Sequence, residues 1–348
     1  MLELKHDLRL PATRDEKGRR NFVSGLRSFV LHDMAAGLRQ VYAADVEPRW
    51  RRRRGRAPRS GPEVHAAIRP NEYFRFYSAL RVTAQDMVYQ TVRPAIERSR
   101  DTLRARAASL AVQRPLGSLQ LNPGLPVPRS VSAVDIHLMP GSYHSEEGDD
   151  DLAAGAIYDN RLAVSSFGLM GQNLDDIGQT VSHYVRERWP DFAPRAIHFH
   201  QMNAEALEFP DASFDLVFSS MFLHEVPRAG IARVLREAHR VLRPGGLMLH
   251  MELPPNGSLA PFDAFYLDWD GAYNNEPFYK PFRDLDPRTI TREAGFAERG
   301  FVEFALPSWG ASNPRQWRRE VQAGVAVESG RTGRLARGVR WYCFGARK

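Results

Sequence analysis

Side chains able to hold or move a proton gather at the ends of two apolar runs. His224 and Glu225 follow closely on residues 214–220, while His250 and Glu252 lie inside residues 247–253. Where a reaction needs a proton removed, an imidazole near its ordinary pKa is an efficient base. His224 is therefore the first candidate, with Glu252, His250, Tyr143 and His144 behind it, although a lone histidine more often serves packing. Glu146, Glu147 and Asp149 to Asp151 form an acidic loop, but they lack the alternating ligands around a glycine that an EF-hand loop uses. They read as solvated surface. The lone cysteine, Cys343, neither forms an internal disulfide nor builds a thiolate cage, so no metal site is expected. Arg49, Arg51 to Arg54, Arg56 and Arg59 surround Trp50, a set able to grip phosphates with an aromatic beside them. With Gly55, Pro58, Gly61 and Pro62 in the same stretch, a solvated loop is the simpler reading. Nucleic acid is not the expected partner.

These residues need elements to position them. Residues 1–20 are polar and expected to be mobile. Phe22, Leu26, Phe29, Val30, Met34, Leu38 and Val41 recur at helical spacing, and residues 72–93 repeat the pattern. Pro94 is expected to end or kink that helix and to open the next, which runs to about Leu110. Pro115, Gly117, Pro123, Gly124, Pro126 and Pro128 mark a linker. The chain thus divides into a helical region, 1–113, with its arginine loop at 49–59, then a linker, 114–130, and a second domain, 131–348. Val134, Ile136 and Leu138 alternate as a strand over 131–138. Residues 175–189 form an amphipathic helix, with Asn173 or Asp175 as its cap.

From residue 196 onward the pattern is dense. A short strand at 197–200 leads to a loop, then a turn at 211–213 and a strand at 214–220. A helix at 231–242 ends at Arg243-Pro244-Gly245-Gly246, and another buried strand covers 247–253. Strand, loop, helix, strand is a parallel crossover unit, and ligands on such sheets bind beyond the carboxyl ends of the strands.

Here the residues resemble a known family. Asn203-Ala204-Glu205-Ala206-Leu207, Phe214-Asp215-Leu216-Val217, His224-Glu225-Val226 and Leu242-Arg243-Pro244-Gly245-Gly246 stand in the order and spacing of class I S-adenosylmethionine-dependent methyltransferases of the small-molecule type 11 group. Looser likeness reaches the end, where 285–295 resembles the helix before the last strands and 341–347 the closing antiparallel strand. The resemblance implies an α/β fold with a Rossmann-like sheet, attached to the helical N-terminal region. It implies S-adenosylmethionine as cofactor and S-adenosylhomocysteine as product. Met202, Asn203 and Ala204 would lie against the adenine, Ser219, Met221 and Phe222 beside the methionine part, and His224 toward a small-molecule acceptor.

The family's glycine-rich turn, D-x-G-x-G in outline, is not found. Leu174-Asp175-Asp176-Ile177-Gly178-Gln179-Thr180 comes nearest, but it reads as a helix start. Two explanations stand: a degenerate, non-catalytic relative that serves as a binding or scaffold protein, or a substitute strand at 131–138 followed by Pro140-Gly141. After 253, Phe262, Phe265, Tyr266, Trp269, Tyr273, Phe278, Tyr279 and Phe282 mix with Asp263, Asp268 and Asp270. This stretch is either a lid over the acceptor or a packing insertion or dimer surface.

The 348 residues are 43% hydrophobic and 26% charged, an ordinary globular composition with no run long enough to span a membrane. The net charge of +7 is almost all arginine. A cytoplasmic protein of a bacterial small-molecule pathway is expected. Strands missing from the sheet would leave edges for a partner, so a homodimer is among the expectations.

Overall fold

A computed structural model describes residues 10–111, 117–146, 148, 151–166, 170, 174–190, 197–324 and 340–348. They fall into two compact units. The first comprises Met1–Pro115, Val127–Asp175 and Phe265–Asn275; the second comprises Leu116–Pro126, Asp176–Ala264 and Glu276–Lys348. The break expected at residue 130 therefore comes after Asp175, and residues 131–175 belong with the helices.

The first unit is helical because its apolar residues recur every three or four positions. Helices α1 (Arg14–Phe29), α2 (Ala35–Val41) and α3 (Glu47–Arg54) follow one another without leaving helical backbone, joined by π-helical turns at Val30–Met34 and Tyr42–Val46. Thr13 and Glu16 form a capping box, so α1 begins inside the stretch expected to be mobile. Residues 1–9 lie outside the described residues. The arginine run is also corrected: Arg49 and Arg51 to Arg54 lie in α3, which Gly55 ends at φ 71°. Arginine is a good helix former, and cations in a last turn complement the helix dipole.

Helix α4 (Gly61–Ile68) precedes α5 (Glu72–Arg98) and α6 (Arg100–Ala111). Pro94 sits within α5 instead of ending it. Buried Val92, Ala95 and Ile96 flank the proline and hold the helix to its core across the missing hydrogen bond. Val23, Val88, Leu103 and Val164 complete that core.

Strand β1 (Gly117–Gln120) lies in the expected linker, whose Pro115 is outside the described residues. The strand expected at 131–138 is absent. Helix α7 (Arg129–Ser132) and a 3-10 turn at Ile136–Leu138 stand there, with His137 and Leu138 at φ 61° and 58°. The His137 carbonyl accepts from Gln85 Nε2 at 2.8 Å and Tyr89 Oη at 3.1 Å, so the apparent alternation records a turn held on α5. This segment supplies no substitute strand. In the acidic loop, Glu147, Asp149 and Asp150 lie outside the described residues. Helix α8 (Ala153–Ser165) packs on α1 and α5.

Tyr266, Trp269 and Asp270 of the aromatic stretch belong to this first unit. Tyr266 Oη meets Tyr77 Oη at 2.9 Å, Trp269 Nε1 donates to Ser78 Oγ at 3.1 Å, and Asp270 pairs with buried Arg81 at 2.6 Å. This part of the stretch packs, which is the second of the two readings.

The second unit is built on strands. After α9 (Asp176–Arg188) come β2 (Ile197–His200), β3 (Phe214–Ser220), α10 (Arg228–Val241) and β4 (Leu242–Glu252). Helices α11 (Pro261–Ala272), α12 (Tyr279–Arg283) and α13 (Pro287–Glu293) precede β5 (Phe301–Pro307); α14 (Pro314–Ala323) and β6 (Arg340–Arg347) follow. One sheet has the order β3-β4-β6-β5, with β3 and β4 parallel and β6 antiparallel to both neighbours; β1 and β2 form a separate parallel pair.

β4 is central, so it is apolar on both faces. Met248 faces a core with Ile231, Leu235 and Ala238 of α10, while Leu247, Leu249 and Met251 face one with Val181 and Val185 of α9 and Trp317 of α14. Opposite Leu249, a Cβ on Gly345 would stand 1.9 Å from the Met248 carbonyl oxygen, so only glycine fits there. β3 is an edge strand among the described residues.

Candidate active site

The register of β3 and β4 sets Ser219 beside His250 and Ser220 beside Met251, which brings their carboxyl ends together. The chain leaves β3 through Met221, held at φ 50° while its N–H donates to the Met251 carbonyl at 2.9 Å. A positive φ at a methionine is a strained backbone, and such residues cluster at functional sites. A 3-10 turn at Leu223–Glu225 follows.

Glu252, the last residue of β4, is 1% exposed and fully engaged. Its Oε1 accepts from the backbone N–H of Phe222 at 2.8 Å and of Leu223 at 2.6 Å, and its Oε2 meets His224 Nδ1 at 2.6 Å. One carboxylate thus fastens the loop after β3 to the end of β4. On its other side, His224 Nε2 lies 3.8 Å from Glu276 Oε2, and the Tyr279 ring meets the imidazole edge-on at 5.5 Å. Burial pulls the imidazole pKa down. The charge and hydrogen bond of Glu252, with Glu276 and Glu225, outweigh it and push the pKa up to about 9. His224 therefore keeps its proton at neutral pH. The sequence reading made it the first candidate for a base; the flanking carboxylates make it a buried imidazolium.

A second pair lies beside the first. Ser219 Oγ and His250 Nδ1 are 2.7 Å apart, and the His250 ring packs on Phe344 at 5.4 Å. Burial pushes the His250 pKa down to about 3, so this ring is neutral, and its Nε2 has no hydrogen-bond partner among the described residues. His224 and His250 thus hold different charge states, because one faces carboxylates and the other faces a hydroxyl and a phenyl ring.

Met202, Asn203 and Ala204 lie on the loop after β2. Asn203 is exposed and its Oδ1 accepts from the Glu205 N–H at 2.9 Å. Ala204 packs against the core beneath α10, and Met202 is half-buried. Farther along, Leu207 N–H donates to Glu237 Oε2 at 2.8 Å, and Arg240 donates to the carbonyls of Leu207 and Phe209, both at 2.8 Å. The loop is anchored to α10. Tyr143 belongs to the first unit, where it is 41% exposed and its ring lies 6.0 Å from that of Tyr158.

The segment nearest to a glycine-rich turn has another use. Asp176 opens α9, and its Oδ1 accepts from Ser308 Oγ at 2.7 Å and Gly310 N–H at 2.8 Å. Its Oδ2 accepts from Trp341 Nε1 at 3.1 Å. This buried carboxylate holds the sheet's far edge to α9, and Gly178 lies within the helix. Asn173, the other suggested cap, lies outside the described residues.

Sequence reasoning missed Glu276, because an acid among Asn274, Asn275 and Pro277 carries no spacing signal. It also missed the anchoring role of Asp176. A buried acid at a helix start whose partners are 132 and 165 residues away has no local signature. Among the described residues, no group of histidine, cysteine, aspartate and glutamate can hold a metal ion, and no helix is long and apolar enough to cross a membrane.

Comparison with known proteins adds the family. A methyltransferase-domain family model matches residues 174–250, a span that opens at Leu174 and closes at His250. The ubiquinone/menaquinone biosynthesis C-methyltransferase UbiE of Methylobacterium nodulans is 44% identical over 77 residues, 22% of this chain and 30% of that protein. The phthiotriol/phenolphthiotriol dimycocerosates methyltransferase 1 of Mycobacterium ulcerans is 36% identical over 97 residues, 28% of this chain and 31% of that protein. This chain thus spans less than a third of the length of these two relatives. A solved methyltransferase from Thermotoga maritima, described as a possible histamine N-methyltransferase, aligns at 20% identity and a TM-score of 0.27, covering 48% of this chain and 69% of that one. Over residues 174–250 this chain is similar to a methyltransferase domain.

Proposed function

We propose that this protein is an S-adenosylmethionine-dependent methyltransferase acting on a small molecule. The observation that carries the reading is the meeting, at the carboxyl ends of parallel β3 and β4, of Ser219, the strained Met221 and the His224–Glu252 pair, within and beside the family-matched segment. Ligands on such sheets bind at that place.

The donor set fits the cofactor in two parts. Asn203 and Ala204, with Met202 half-buried beside them, would take the adenine, and Ser219, Met221 and Phe222 would take the methionine part. The cofactor supplies an electrophilic methyl group when bound. The chain's own residues supply alignment and shelter, since an in-line displacement asks chiefly for fixed geometry. Glu252 fixes the Phe222 and Leu223 amides, so that the loop after β3 is preorganised. His224, charged between Glu252 and Glu276, positions that loop. Ser219 is held by neutral His250, which orients its hydroxyl.

A homodimer and a cytoplasmic setting in a bacterial small-molecule pathway belong to the same reading. The exposed Leu119, Leu121, Ile197 and Phe199, each between 59% and 66% exposed, are the apolar surface a second copy would cover. One observation favours the rival of a non-catalytic scaffold: Asp176, at the segment nearest the glycine-rich turn, is consumed by structural hydrogen bonds.

Calorimetric titration of the full chain with S-adenosylhomocysteine separates the two. Binding in the range of about 1–100 μM, weakened about tenfold by Asn203→Ala, is the outcome expected of a methyltransferase. No heat of binding at millimolar cofactor would leave the scaffold.

A further inference from the structure

The first compact unit contains a cavity of about 610 Å³ that the methyltransferase reading leaves unused. Trp50, Arg52, Arg53 and Arg54 of α3 line one side, and Asn71 and the end of α4 line the other. The carboxylates nearby are already neutralised. Asp45, which also lines the cavity, pairs with Arg49 at 2.7 Å, while Glu47 pairs with Arg51 and Glu63 with Arg56, both also at 2.7 Å. Arg52, Arg53 and Arg54 face no carboxylate among the described residues. Arg54 leans over the Trp50 ring, 5.4 Å from its centroid, and the buried Trp50 Nε1 has no acceptor. The cavity therefore presents three guanidinium groups with no protein anion to meet them.

We propose that this cavity binds the diphosphate group of a small phosphorylated molecule. Its volume lies in the range of small-ligand pockets. Planar guanidinium groups match phosphoryl oxygens two at a time, and their hydrogen bonds to an anion are about twice as strong as neutral ones. Arg52, Arg53 and Arg54 all line the same cavity, which gathers their charge around one bound group. A nucleic-acid strand carries its phosphates in a long row and is gripped along an extended groove. The helix dipole explains cations in the last turn of α3. It does not explain why Arg52, Arg53 and Arg54 lack the carboxylate partners that Arg49, Arg51 and Arg56 have, and a phosphoryl group supplies that missing negative charge.

The test uses inorganic pyrophosphate titrated into the full chain, read by calorimetry and by tryptophan emission. Saturable binding is expected, with an emission change that Trp50→Phe abolishes although five other tryptophans remain of the six. The variant carrying Arg52→Gln, Arg53→Gln and Arg54→Gln is expected to bind at least about a hundredfold more weakly. Glutamine keeps the helix propensity and all three positions are exposed, so its thermal unfolding should match the wild type. Arg53→Glu alone gives a second reading and should weaken binding about tenfold. Binding that is absent at about 10 mM pyrophosphate, or that is unchanged in the triple variant, overturns the proposal. A single-stranded oligonucleotide of about twelve nucleotides that binds more tightly than pyrophosphate, and is not displaced by it, also overturns it in favour of nucleic acid.

Discussion

The second unit contains two parallel strand pairs in opposite environments: β3 with β4, whose strands the sequence reading expected, and β1 with β2, whose first strand falls in the expected linker. In β3 and β4 the pairing is continued by β6 and β5, and the central strand is buried from Leu247 to Glu252. In β1 and β2 the four-residue strands stand alone, and every residue of β2 is exposed. Hydrogen bonding between strands is alike in both. What differs is burial against helices on both faces, which supplies most of the stabilisation and lets buried charge be held in a fixed geometry. Proton-bearing chemistry collects at the first pair for that reason: His224, Glu252, Ser219 and His250 need a dry, rigid frame to keep their separate charge states.

The comparison can be broken most sharply at Glu252. Glu252→Ala leaves a buried imidazolium and two backbone N–H groups without their carboxylate, and should cost about 3–5 kcal/mol in urea denaturation. A loss near zero would mean that the end of β4 is no more rigid than β2. Leu249→Ala, which opens a cavity beneath the sheet, should cost about 2–5 kcal/mol. Phe199→Ala on β2, 63% exposed, should stay within about 0.5 kcal/mol. A cost for Phe199→Ala equal to that for Leu249→Ala would show that β2 is covered in solution, and analytical ultracentrifugation would then reveal the dimer.

Proton linkage sharpens the same contrast. The folded pKa of His224 is raised from 6.5 to about 9, so its contribution is fully present below pH 6.5 and fades as pH rises through 9. His250 has its pKa lowered from 6.5 to about 3, so the unfolded chain takes up a proton first and stability falls as pH drops below 6.5 toward 3. Stability governed by this pair should peak near pH 6.5. His224→Asn should flatten the alkaline limb, and His250→Asn the acid limb. An unaltered alkaline limb in His224→Asn would contradict the ion-pair assignment. Smaller again, Ser219→Ala removes one hydrogen bond to His250 and should cost about 1 kcal/mol.

Much of the frame was legible in the sequence. Residues 214–220, read as a strand from their apolar run, are β3, and the stripe Ile231, Val234, Leu235, Ala238 and Val241 lies in α10. These segments satisfy their periodicity locally, so one dimension suffices. The 131–138 segment shows the limit. Its alternation of Val134, Ile136 and Leu138 imitates a strand, but two hydrogen bonds from α5 hold His137 in a left-handed turn. The arginine run misled in the opposite sense, since Gly55 and Pro58 suggested a loop where they only follow a helix. At the site, His224 and Glu252 were picked out by their position after apolar strands. The charge states of the two histidines were not legible, because that of His224 depends on Glu252 and Glu276 and that of His250 on its burial beside Ser219 and Phe344, which only the fold brings near.

The proposed cofactor site joins the carboxyl end of β3 to the loop after β2. Hydrogen exchange on the full chain, with and without S-adenosylhomocysteine, tests it most directly. Protection confined to residues 202–204 and 219–224, and lost in Ser219→Ala, is the predicted result. Unchanged exchange in both segments at saturating cofactor, or protection elsewhere alone, would contradict it.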